Sequence, residues 1–118
     1  MQDHELMAWL GPAADDLTPE RIERISAEAR RIAERWSDPD EQPERDAALS
    51  TVVQYLLGET TPEAAGRALL DARRREREAY AAAETIAVML VGDGSPKATA
   101  ARRVGIDRMS LLKALGER

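Results

Sequence analysis

The sequence of 118 residues contains no cysteine and a single histidine, His4. The absence of cysteine excludes disulfide bonds, thiolate zinc sites and thiol nucleophiles. One histidine beside the first residue cannot build a histidine-based metal site or a Ser-His-Asp triad. Because no glycine-rich phosphate-binding loop is present either, we expect a protein that is not an enzyme and needs no cofactor.

Large apolar side chains are also scarce. Phenylalanine is absent, and leucine, isoleucine and valine together supply 22 residues. With a net charge of −5, this composition lies near the border of sequences that stay disordered. The 21 alanines are the best helix formers, and the apolar residues recur at helical spacing. Together they indicate a folded, all-α chain with a thin core.

Long apolar runs are missing as well. No stretch approaches the roughly 18 apolar residues that cross a bilayer. The first five residues, Met1-Gln2-Asp3-His4-Glu5, lack the basic region of a signal peptide. We therefore expect a cytoplasmic protein with no membrane partner.

Charge is distributed unevenly along the chain. Residues 1–66 have a net charge of −9, residues 67–94 are neutral, and residues 95–118 carry +4. An acidic protein with a basic end is expected to meet a polyanion only through that end. An uneven but fully solvated surface would give the same distribution.

Three helix starts are marked by a Ser or Thr followed by Pro, at Thr18-Pro19, Thr61-Pro62 and Ser95-Pro96. The hydroxyl oxygen caps a helix and the proline suits its first position. Apolar spacing predicts amphipathic helices over about 19–36 and 44–57. Residues 1–60 thus form an acidic helical region, expected to serve dimerisation or the binding of a protein partner.

Residues 61–92 predict a long connecting helix. The stretch 71–78 is charged on all sides, so it either crosses solvent or marks a break between two helices. Its four arginines are paired with Asp71, Glu76 and Glu78, which favours a solvated face over phosphate binding. Apolar residues follow alternating steps of four and three residues if Glu76 occupies one position: Ala65, Leu69, Ala72, Ala79, Ala83, Ile86 and Leu90.

Residues 93–118 contain two short helical segments around Gly105. We expect Ser95 to cap the first segment and Asp107 the second, and Gly105 to supply the positive φ of a tight turn. The expected inward residues are Ala100, Ala101, Val104, Ile106, Leu111 and Leu115. This spacing is typical of a helix-turn-helix, although a helical hairpin that serves only as core would be partly similar.

At these residues the sequence resembles the C-terminal helix-turn-helix of Fis and of the NtrC-type enhancer-binding activators. The resemblance covers about residues 84–116, and resolvase C-terminal domains share much of it. Ile86 and Leu90 lie where the preceding helix of that family supplies core residues. The shared residues are Ala100-Ala101, Gly105-Ile106, Arg108, Ser110-Leu111, Lys113 and Leu115.

The resemblance implies that residues 107–115 form a recognition helix in the major groove of DNA. Arg108 would bind guanine or phosphate, Ser110 phosphate, and Lys113 phosphate or a base edge. Met109 and Leu112 would contact thymine methyl groups. The full expected DNA-binding set is Lys97, Thr99, Arg102, Arg103, Arg108, Met109, Ser110, Leu112 and Lys113.

Two functions follow from these observations. The first is a sequence-specific protein that binds double-stranded DNA as a homodimer, either a transcriptional regulator or a DNA-architectural factor. Dimerisation is expected because one such motif makes few contacts and the thin core leaves helical faces uncovered. The alternative is an acidic protein-interaction factor, whose C-terminal hairpin is structural or docks a protein partner.

Overall fold

The computed structural model describes residues 2–117, and this part of the chain is helical with no strand. The predicted all-α fold class is confirmed. The chain divides into two compact units, one ending at Ala65 and one beginning at Gly66. The helices are α1 (Asp3–Leu10), α2 (Pro19–Arg35), α3 (Gln42–Leu56), α4 (Pro62–Gly92), α5 (Lys97–Val104) and α6 (Arg108–Ala114), with 3-10 turns at Gly11–Asp16 and Pro39–Glu41.

Two of the three predicted threonine or serine caps are confirmed. The hydroxyl oxygen of Thr18 accepts a hydrogen bond from the backbone N–H of Arg21 at 3.3 Å. Thr61 does the same for Ala64 at 3.1 Å. Both α2 and α4 begin with the following proline, whose missing N–H costs nothing there.

The prediction for Ser95 was wrong. Helix α5 begins at Lys97, and no side chain caps its first turn. The backbone N–H of Ser95 donates to the carbonyl oxygen of Leu90 at 2.9 Å, and Gly94 before it has a φ of 99°. Ser95 therefore belongs to the turn that ends α4, where it cannot also start the next helix.

The first unit is built on the apolar faces of α2 and α3. Ile25 and Ile32 of α2 are buried against Leu49 and Val53 of α3, and Leu6, Leu10 and Leu17 close the same core. Helix α3 begins two residues before its predicted start, because Pro43 fits within a first helical turn. The guanidinium of Arg45 donates to the carbonyl oxygens of Trp36 and Asp38 and so fixes the connection from α2.

Helix α4 is continuous over its 31 residues, about 45 Å long at 1.5 Å per residue. No break occurs at 71–78, where Arg74 pairs with Asp71 along the helix at 3.3 Å. Arginine and glutamate are good helix formers, so this charged stretch holds its conformation without burial. None of the helices in the described part of the chain combines the length and apolar character needed to cross a membrane.

The core of the second unit is made mostly of small side chains. Ala87 of α4 is fully buried with Ala100 and Ala101 of α5 and Leu111 of α6. The partly buried side chains around them are Val88, Leu90, Val91, Val104, Ile106 and Leu115. Each alanine contributes only one methyl group, so this core buries little apolar area.

One predicted core residue of this unit is not in it. Leu90 packs against the core as expected, but Ile86 is 55% exposed. The buried side chain is that of the next residue, Ala87. Adjacent residues lie 100° apart on an α-helix, so the face that carries Ala87 and Leu90 turns Ile86 outward.

Candidate nucleic-acid interface

The candidate site is built on the turn between α5 and α6. Gly105 has a φ of 77°, a left-handed conformation that glycine adopts at little cost. The backbone N–H of Ile106 donates to the carbonyl oxygen of Ala101 at 3.0 Å, and that of Gly105 donates to Arg102 at 3.2 Å. These two hydrogen bonds are the pair that defines a Schellman motif at the C-terminus of a helix. The predicted role of Gly105 is confirmed.

The start of α6 is fixed by Asp107. Its carboxylate accepts a hydrogen bond from the backbone N–H of Ser110 at 3.2 Å, so its predicted role as the cap is confirmed. Leu111 is fully buried one turn later and holds α6 against α5 and α4. The orientation of α6 is therefore set by Asp107 at its N-terminus and by Leu111 at its middle.

Four of the predicted DNA-binding side chains are exposed cations: Arg102, Arg103, Arg108 and Lys113. The only three ion pairs found among residues 2–117 involve other side chains. Within the described residues these four groups thus have no ion-pair partner, and they are exposed to an anionic ligand. Asp107 is exposed next to them and lowers the positive potential at the start of α6.

Lys97 and Thr99, on the first turn of α5, are placed differently. Both are only half-exposed. The ammonium group of Lys97 forms an ion pair with the carboxylate of Glu117, across the ends of α5 and α6. Because this pair partly neutralises Lys97, its charge is less available to an anion than those of the four exposed cations.

The remaining predicted residues lie on α6, and one of them points the wrong way. Met109 is 53% exposed and Ser110 is half-exposed, but Leu112 is only 9% exposed. The expected contact of Leu112 with a thymine methyl group is therefore wrong. Leu112 is buried next to Leu111 but lies outside the core that Leu111 shares with α4 and α5.

Sequence reasoning missed a groove in the first unit. An open groove of about 660 Å³ lies between α2 and α3, with Trp36, Val52, Tyr55 and Leu56 in its lining. The guanidinium of Arg24 lies 5.9 Å from the centre of the Tyr55 ring, within the range of a cation–π contact. The sequence signal that could have indicated this groove is the pair Trp36 and Tyr55, because aromatic residues are rare in this sequence.

Within residues 2–117 no three His, Asp or Glu side chains come together as metal ligands.

Comparisons with known proteins leave the resemblance to the Fis and NtrC-type motif as a prediction. The match of residues 84–116 to the Fis and NtrC-type motif rests on the residues themselves and on the turn that they form. No protein-family model, no curated protein and no solved structure matches this chain.

Proposed function

We propose that this chain is a sequence-specific DNA-binding protein that acts as a homodimer, either a small transcriptional regulator or a DNA-architectural factor. The observation that carries the proposal is the α5–α6 pair. Its left-handed turn at Gly105 joins two short helices that share a buried core, and it carries four exposed cations that have no ion-pair partner among residues 2–117.

In this proposal α6 lies in the major groove. Arg108, at the first position of α6, has the planar donor pattern that binds the O6 and N7 atoms of guanine. Met109 is exposed beside it and supplies an apolar contact to a thymine methyl group. Ser110 is half-exposed and its hydroxyl is suited to a phosphate oxygen.

The other cations bind the phosphate backbone. Arg102 and Arg103 are on α5, the helix before the one that reads the bases, and Lys113 is in the last turn of α6 itself. Phosphate contacts position a protein on DNA without reading sequence. The net charge of +4 over residues 95–118 supports binding through this end, while the acidic remainder disfavours binding through any other.

A dimer fits the small size of this surface. One motif makes few phosphate contacts and buries little area, so useful affinity requires two copies on half-sites about one helical turn apart. The decisive experiment is a selection from random DNA duplexes with the full-length chain. We expect an enriched inverted repeat, whose binding weakens steeply as salt is raised.

The second candidate is an acidic protein-interaction factor, favoured by the groove between α2 and α3. Tyr55 is 53% exposed there, and an open apolar groove with aromatic lining is typical of protein-binding surfaces. The selection distinguishes the two functions. Failure to enrich any duplex, together with the absence of salt-dependent retention of DNA, would reject the first function and favour the second.

A further inference from the structure

Helix α4 exposes apolar side chains that the described structure leaves uncovered. Among residues 65–82 every side chain is exposed except that of Asp71, which is half-exposed. Leu69 is 52% exposed and Ile86 is 55% exposed. Most of the stability of a helix in a protein comes from packing of an apolar face, and this stretch of about 27 Å has no such packing within the second unit.

Some of the apolar residues of this stretch, continued to Ile86, fall on one line along the helix. We call this line the α4 seam: Leu69, Ala72, Glu76, Ala79, Ala83 and Ile86. Its alternating steps of three and four residues are the spacing of two-stranded helical packing, in which each layer joins one seam residue from each helix. Leu70 is even more exposed than Leu69, but it lies off the seam.

We infer that the α4 seams of two copies pack against each other antiparallel, with Leu69 of each copy beside Ile86 of the other. This inference rests on the homodimer of the proposed function and names its interface. In the corresponding register, Ala72 faces Ala83 and Glu76 faces Ala79. In this pairing Leu69 and Ile86, the two large exposed residues of the seam, cover each other.

The first argument for the antiparallel direction is the charge of Glu76. A parallel pair would place Glu76 of one copy in the same layer as Glu76 of the other. Two carboxylates in one apolar layer repel and lose their hydration. In the antiparallel pair each Glu76 faces the methyl group of Ala79, and its carboxylate reaches solvent at the edge of the seam.

The second argument is the charge at the two ends of α4. Residues 1–66, which lead into the N-terminal end of the helix, carry −9, and residues 95–118, which follow its C-terminal end, carry +4. A parallel pair would bring two segments of −9 to the same end. The antiparallel pair instead places the N-terminal ends of the two α4 helices, which the segments of −9 precede, at opposite ends of the pair.

The antiparallel register also agrees with the expected DNA spacing. It places the C-terminal ends of the two α4 helices roughly 40 Å apart along the pair. Half-sites one helical turn apart are separated by about 34–36 Å. The α5 helices follow α4 after a four-residue connection, which is long enough to bridge the difference.

The natural absence of cysteine allows a direct test of direction by disulfide formation. We expect a mixture of Leu69→Cys and Ile86→Cys chains, after exchange of subunits, to give a disulfide dimer that contains one of each. Neither variant by itself should cross-link efficiently. Efficient cross-linking of Leu69→Cys with itself, or of Ile86→Cys with itself, would overturn the antiparallel register.

Sedimentation equilibrium of the full-length chain tests the interface itself. Leu69→Lys should raise the dimer dissociation constant by at least about tenfold, because it places two charges in apolar layers. Leu70→Lys, the matched control one residue away, should leave the dissociation constant unchanged. Equal dissociation constants for the two variants would overturn the interface, provided that circular dichroism shows unchanged helix content.

The same samples separate this inference from the proposed function. A wild-type chain that sediments as a monomer but still binds a selected duplex overturns the α4 interface and leaves the DNA-binding function standing. A wild-type chain that sediments as a dimer but enriches no duplex, together with the mixed cross-link between the two cysteine variants, supports the interface and overturns the DNA-binding function.

Discussion

The backbone N–H of Ile106 lies 3.0 Å from the carbonyl oxygen of Ala101 and donates a hydrogen bond to it. This bond spans the turn at Gly105 and joins the end of α5 to the residue that precedes the cap of α6. Ala101 is itself buried, and Ile106 packs against the same core. The direction of α6 is thus set by local backbone bonding and by the core together.

Gly105→Ala should destabilise the second unit by about 1 kcal/mol, because an L-residue is strained at this positive φ. The added Cβ would meet no atom within 4 Å, so the cost comes from the backbone alone. Native-state hydrogen exchange should show a matching loss of protection at the N–H of Ile106.

Gly66→Ala is the matched control for that change. Gly66 lies inside α4, has no positive φ and has equally open surroundings. The substitution should stabilise the chain by roughly 0.5–1 kcal/mol, since alanine is the better helix former. Denaturant unfolding followed by circular dichroism checks both changes, and a stabilising effect of Gly105→Ala would contradict the explanation given for the turn.

Leu111→Ala should cost about 2–5 kcal/mol of stability in the second unit, because it leaves a cavity in a core made of small residues. Met109→Ala removes a side chain of similar volume from the exposed face of the same helix and should change stability by less than about 0.5 kcal/mol. Comparable losses of stability from the two variants would show that α6 is packed differently.

Asp107 stabilises α6 as its cap, but its negative charge lowers the positive potential that attracts DNA. Two substitutions separate these effects. Asp107→Ala removes the cap of α6 and should cost about 0.5–2 kcal/mol. Asp107→Asn keeps an oxygen acceptor for the N–H of Ser110 and removes only the negative charge. It should therefore preserve the unfolding free energy and strengthen DNA binding, most visibly at low salt. Weaker DNA binding by Asp107→Asn would mean that the carboxylate itself contacts DNA.

Arg108→Ala should weaken binding to the selected duplex by about 1–3 kcal/mol and flatten the preference at one base pair. Lys113→Ala should weaken all sequences alike and reduce the salt slope by about one. Both side chains are exposed, so neither substitution should alter folding. Fluorescence anisotropy with a panel of single-base variants of the duplex measures the two effects.

Arg102→Ala and Arg103→Ala are the comparison for Arg108. Because Arg102 and Arg103 lie on α5, they are expected to contact only the phosphate backbone. Replacing either with alanine should therefore lower the affinity and the salt slope without changing base preference. Unchanged DNA binding by Arg108→Ala, together with a lower melting temperature, would identify Arg108 as a structural residue. The interaction-factor function would then be the better explanation of the chain.

Features that depend on neighbouring residues could be predicted from the sequence. Thr18 and Thr61 cap their helices, Asp107 caps α6 and Gly105 forms the turn. Each of these contacts is made within about four residues along the chain, so residue type and spacing determine it. The apolar faces of α2 and α3 could also be predicted from the sequence, because the helical period alone places Ile25 and Ile32 on one face of α2, and Leu49 and Val53 on one face of α3.

The tertiary structure decided which of two adjacent residues enters a core. Ala87 is buried and Ile86 is exposed, and Leu112 is buried although it was expected to face DNA. Likewise Ser95 completes the end of α4 instead of starting α5. Ala87 of α4 is buried in a core that it shares with Ala100 and Ala101 of α5 and Leu111 of α6. No single helix determines which of its residues are buried there, because side chains from all three fill that core together.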